Sequence, residues 1–191
     1  MATAAVIQDM GGTLVNLLRL AAIPGVANAD IFVATPDDFA PLSNRTTPFN
    51  ASITVTLHRV TIAEACRNAP RRTLPDGRTT RQLLSLELHY LITPWAVRVI
   101  DEHLIAGFIL QAMYDGAELG VADLVGPSWS SQDSVQLVLE SLSLEDHYDI
   151  WATVDAPFRL ALPYCARIIG IEPREIRSEA PVLEAFIGAR Q

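Results

Sequence analysis

The chain has 191 residues, half of them apolar and 19% charged, with 22 acidic against 14 basic side chains and a net charge of −8. This supplies a core for one domain and excludes a disordered chain. The acidic balance argues against a general nucleic-acid binder, and no run approaches the ~20 continuous apolar residues of a membrane span.

Residues 4–22 read as an amphipathic helix: Val6, Met10, Leu14, Leu17, Leu18 and Ala21 share a face. Gly11 and Gly12 weaken it, and Pro24-Gly25 ends it. Ile31-Phe32-Val33 is a short strand closed by Pro36, and residues 37–50, rich in Pro, Asp, Asn, Ser and Thr, read as a loop. Ile53 to Leu57 alternates strictly and forms a half-buried strand. After His58 the alternation flips to Val60 and Ile62, which a bulge at His58-Arg59 explains.

Residues 63–81 read as a long loop. Leu84, Leu86, Leu88, Tyr90 and Ile92 then give the clearest strand, with Pro94 expected to stop it. Val97 to Tyr114 is a helix whose second half is apolar almost all round, so burial on several sides is expected. After an irregular stretch, Val135, Leu137 and Leu139 make a strand. Ser143 with Asp146 fits an N-cap for a helix presenting Leu144, Tyr148, Trp151 and Val154. Phe158 to Ile168 alternates as a last strand, and Pro163 inside it predicts a sheet edge or a bulge. Residues 171–191 turn polar and read as an extended arm. The order implies one α/β (mixed α+β) domain over 1–170, a mixed sheet flanked by about three helices, followed by the arm.

The search for chemistry yields little. Asp9-Met10-Gly11-Gly12-Thr13 resembles the first motif of haloacid-dehalogenase-like phosphatases, with Asp9 as nucleophile, but Gly11 stands where the general acid belongs. That motif also requires a Lys, and all fourteen basic residues are Arg. His58, His89, His103 and His147 show no metal-ligand spacing, with no Cys near in sequence, and read as structural. Cys66 and Cys165 read as reduced thiols. No catalytic residue, metal site or cofactor is expected. No signal peptide is readable at the N-terminus, so assembly in the cytoplasm is expected. One charge feature stands out: Arg67, Arg71, Arg72, Arg78 and Arg81 crowd one loop, opposed by Asp76. They suit a clamp for an acidic protein surface as well as a solvated loop.

Two blocks resemble a known family. Leu83 to Pro94 (LLSLELHYLITP) precedes a long helix, and Leu142 to Trp151 (LSLEDHYDIW) runs into Ala156 to Tyr164 (APFRLALPY). In this order and spacing they resemble the N-terminal domain family of cap, or tail-terminator, proteins of phage-tail-like contractile injection systems, over about residues 5–170. Trp95-Ala96 departs from that pattern, as does everything after Ile171. The resemblance implies a tail-terminator-like fold and no catalytic residues. It implies a homo-oligomeric ring, hexameric in this reading, that ends the inner tube and touches the last sheath ring. The partners are then further copies, the tube protein and the sheath protein, within a particle that is released or stays in the cell. A baseplate or adaptor subunit of the same particle is the alternative. The arm residues Val182, Leu183, Phe186 and Ile187 are expected to pair as a strand with a sheath subunit.

Overall fold

A computed structural model describes residues 4–44, 51–64, 72–73, 79–80, 82–154 and 156–173. The elements are α1 (Val6–Leu20), β1 (Val26–Val33), a 3-10 turn (Pro36–Asp38), α2 (Phe39–Ser43), β2 (Ala51–Ile62), β3 (Arg72–Thr73), β4 (Thr79–Thr80), β5 (Leu84–Trp95), α3 (Val99–Asp115), β6 (Glu118–Leu119), β7 (Val135–Leu139), α4 (Leu144–Ala152) and β8 (Leu162–Ile171). Six strands form one mixed sheet in the order β1-β2-β5-β8-β7-β6, and β3 and β4 pair separately. Among the described residues, only β1 and β2 run parallel in the large sheet.

The alternation along β5 sorts the molecule into two cores. Leu86, Leu88, Tyr90 and Ile92 face α1 and α3, joined by Ile53 and Val55 of β2 and Leu137 of β7. Leu91 and Trp95 face the other way, onto Phe39 and Leu42 of α2 and Trp151 of α4. There the Phe39 ring lies 5.2 Å from Trp95 and 5.6 Å from Trp151, and Trp95 and Trp151 lie 5.9 Å apart. The Trp95 indole N–H donates to Thr54 Oγ1 at 2.9 Å, which satisfies its buried polar atom.

Several expectations hold in detail. α1 occupies the first helical stretch, and Gly11 lets it sit close to β1, since a Cβ there would lie 3.1 Å from Val33 Cγ2. The β2–β5 register shifts between Leu57 and Arg59, which places a bulge at His58. The Ser143 hydroxyl oxygen accepts from the Asp146 N–H at 3.0 Å and donates to Asp146 Oδ2 at 2.7 Å, capping α4.

Others are corrected. Residues 36–43 are a 3-10 turn and a short helix, not a loop, because parallel pairing of β1 with β2 needs a crossover and Phe39 and Leu42 cover the tryptophan face. Pro94 does not stop β5, which runs to Trp95. Pairing with β8 ends at Ile92, so Pro94 sits where the strand has a neighbour on one side. β8 is not an edge: it lies between β5 and β7, with Pro163 as its second residue. Phe158 and Leu160 precede it and are partly exposed. Among the described residues four α-helices flank the sheet, and none is long and apolar enough to cross a membrane.

Candidate functional site: exposed apolar faces and a buried polar row

α3 meets the core along one stripe only. Ile105, Ala106, Ile109, Ala112 and Met113 are buried, while Ile100 (71% exposed), Leu104 (58%) and Tyr114 (82%), at positions that fall on the opposite side of the helix, face solvent with Val99 and Leu110. The expected burial on several sides therefore fails within the subunit. The apolar circumference is present, but half of it lacks a partner, and such a contiguous face marks an interaction surface. The base of α3 is held firmly. Buried Glu102 accepts from the Ala96 N–H and pairs with Arg159, whose guanidinium lies 5.4 Å from the Trp95 ring centroid.

A second apolar face lies on the opposite side of the sheet. Of the apolar residues expected to share a face of α4, Trp151 is buried while Leu144 (78%) and Tyr148 (63%) are exposed. Phe158 and Leu160, just before β8, are exposed as well, and Phe158 packs 5.2 Å from the His147 ring. Burial lowers the His147 pKa from its ordinary value.

Asp9 lacks the placement that the phosphatase motif requires. It stands within α1, not at a strand end, and its carboxylate accepts from the Ser128 N–H at 3.0 Å. One helical turn on, Thr13 Oγ1 donates to Asp9 O and accepts from the Val125 N–H, both at 2.9 Å. Together they pin the loop that links β6 to β7. Gly126 fits against the Asp9 carboxylate at φ +109°, where a Cβ would fall 2.2 Å from Asp9 Cγ.

The polar residues of β5 line up on the sheet face that also carries Trp95. His89 Nδ1 lies 2.7 Å from Glu140 Oε2 and 3.3 Å from Arg59, and its Nε2 lies 2.8 Å from Thr61 Oγ1. Glu87 sits two residues along and faces Arg167 at 3.4 Å. Cys165 of β8 is the direct cross-strand partner of His89, and burial pushes its thiol up to about 11. Ligand atoms of Glu87, His89 and Cys165 all lie within 4.8 Å of one another. The sequence spacing gives no hint of this group, because 76 residues separate His89 from Cys165 and only the β5–β8 register joins them.

Of the interface residues singled out from sequence, Arg72 stands in β3 opposite Thr80. Arg67, Arg71, Arg78, Arg81, Val182, Leu183, Phe186 and Ile187 lie outside the described residues.

No curated protein matches this chain in sequence. Among solved structures, the fold superposes on a sheath/tube terminator of an extracellular contractile injection system in its extended state, with a TM-score of 0.61 and 18% identity over 100% of this chain. It also superposes on the tube-terminating cap of the anti-feeding prophage, with a TM-score of 0.53 and 18% identity over 98% of this chain. The chain spans 66% of the first protein's length and 62% of the second's, under two thirds of either. The profile of one family, described as the Pvc16 N-terminal domain, matches residues 9–185, and the chain belongs to that family.

Proposed function

We propose that this protein is the cap subunit of a contractile injection system: it ends polymerisation of the inner tube and contacts the last ring of the sheath. The observation that supports this most is the family match over residues 9–185, joined to a fold shared along the whole chain with a sheath/tube terminator. In this reading the protein has no bond-making step, and copies close into a ring, six in number. Assembly takes place in the cytoplasm, and the particle is then released or stays in the cell. The cap domain runs to Ile171, the last residue of β8 and one past the boundary expected from sequence, and 172–191 form an arm. The arginines at 67, 71, 72, 78 and 81 clamp an acidic partner surface, and Val182, Leu183, Phe186 and Ile187 of the arm pair with a sheath subunit.

Two exposed apolar faces on opposite sides of the sheet favour self-association. A cyclic ring needs a heterologous contact between two different patches of one subunit, and the faces of α3 and α4 supply two.

The test is electron microscopy of particles assembled without this chain. Tubes of irregular length are expected, restored to uniform length by the full chain. Uniform tubes in its absence refute the cap role. Removal of residues 172–191, which spares the last residue of β8, is expected to release the sheath while leaving tube length uniform.

A further inference from the structure

The geometry points to a binding site for a zinc-type divalent metal ion on the sheet, built from Cys165, His89 and Glu87. These are a soft sulfur, an imidazole and a carboxylate, the donor set that zinc takes. Their ligand atoms lie within 4.8 Å of one another, so a central ion is reached by small side-chain adjustments rather than by backbone movement. The backbone positions are fixed by the sheet: His89 faces Cys165 across the β5–β8 ladder, and Glu87 is the next residue of β5 on the same face.

Glu140 prepares the imidazole. In the tautomer that carries the proton on Nδ1, the carboxylate 2.7 Å away accepts that hydrogen bond and the Nε2 lone pair is left for a ligand, the carboxylate–histidine arrangement that orients metal-bound imidazoles. Nε2 now meets the Thr61 hydroxyl at 2.8 Å, a group that rotates freely and yields the lone pair. The Glu87 carboxylate is held by Arg167 at 3.4 Å, a half-exposed pair that exchanges readily. His58, on the β2 bulge, stands 6.3 Å from His89 ring to ring, and its buried Nε2 has no hydrogen-bond partner among the described residues.

Binding replaces the Cys165 S–H bond by a sulfur–metal bond, and the proton leaves to solvent. With Glu87 and the thiolate each carrying one negative charge, the divalent ion is neutralised in a mostly buried setting. Two cations stand alongside: Arg59 lies 3.3 Å from His89 Nδ1, and Arg167, which touches Glu87 and Cys165, swings outward to water as the ion takes both ligands. The ion would cross-link β5 to β8 at the centre of the sheet, stiffening the layer between the two apolar faces. Because a thiol proton is released, affinity rises with pH.

The experiment is titration of the purified full-length protein with cobalt(II), followed by displacement with zinc. One equivalent per chain is expected, with the intense near-ultraviolet thiolate-to-cobalt band, and zinc is expected to raise the melting temperature. Cys66→Ser keeps the band. Cys165→Ala and His89→Gln lose it while their circular dichroism stays that of the unaltered chain. Glu140→Gln weakens binding about 10- to 100-fold. Because a buried variant can fail to fold, Glu87→Gln, at a partly exposed position, serves as a second probe and is expected to weaken binding without altering the fold. Absence of a thiolate band, or a band that vanishes with Cys66→Ser and survives Cys165→Ala, overturns the site.

Discussion

Replacing Gly126 by Ala tests whether Asp9 is a structural clamp. Two costs arise. The backbone at φ +109° strains an L side chain by about 1–3 kcal/mol. The new Cβ, placed 2.2 Å from Asp9 Cγ, also expels the carboxylate from its position. That forfeits the Ser128 N–H bond, a hydrogen bond to a charged group worth about 1.5–3 kcal/mol. Gly126→Ala should thus cost about 4 kcal/mol and Asp9→Ala about 2 kcal/mol. The two are not independent. Once Asp9 is Ala there is no carboxylate to expel, and Gly126→Ala then costs only its backbone strain. The double variant should therefore fall about 2 kcal/mol short of the sum of the singles. Urea unfolding followed by circular dichroism measures this, at one fixed protein concentration because self-association couples stability to concentration. Additive losses would show that Asp9 does not hold the loop and would reopen the question of what its carboxylate is for.

Trp151→Ala, which empties the second core against Phe39 and Trp95, is expected to lose about 3–5 kcal/mol and the near-ultraviolet dichroism of that cluster. A loss under about 1 kcal/mol would mean that α4 is held elsewhere. Glu102→Gln leaves Arg159 unpaired at a mostly buried site and should cost about 3 kcal/mol, with Arg159→Met in the same chain recovering part of it; urea midpoints of the single and double variants decide. Burial lowers the pKa of His58 and His147 below the ordinary 6.5. The unfolded chain therefore takes up protons that the folded chain refuses. The stability these groups confer is complete above about pH 6.5 and declines as the pH falls through it. Urea midpoints taken down from about pH 7.5 should drop, and His147→Gln should flatten the decline.

What sequence revealed depended on how local the cause was. The His58 bulge was legible because a two-residue period changed phase within one strand. The α4 cap was legible because Ser143 and Asp146 lie in one turn. The short helix at Phe39–Ser43 was not, since the demand for it comes from the parallel β1–β2 pairing and from the indoles it covers. Pro94 and Pro163 misled for a related reason: whether a strand tolerates proline depends on which neighbours pair beside it, and β5 and β8, which hold them, pair across 70 positions or more. The Glu87–His89–Cys165 group has the same origin. The apolar circumference of α3 was visible in the sequence, but periodicity cannot say whether the second half of such a helix is covered by its own chain or by another.

That ambiguity suggests a mixing experiment that separates two kinds of ring contact. In a head-to-tail ring, each subunit gives its α3 face to one neighbour and its α4 face to the other. Consider Leu104→Glu with Tyr114→Glu on α3, and separately Leu144→Glu with Tyr148→Glu on α4. All four side chains are mostly exposed, so the subunit should fold unchanged. Each variant alone should be monomeric, because every contact of the ring needs both faces. Mixed, each variant retains the face that the other lacks, and one heterologous contact becomes possible but never a second. Native mass spectrometry should then show one-to-one dimers and nothing larger. Had two α3 faces met about a twofold axis instead, the α4 variant would dimerise unaided, and mixing would add nothing. A closed ring from either variant would mean that the face altered in it does not join the subunits, which overturns the α3–α4 contact.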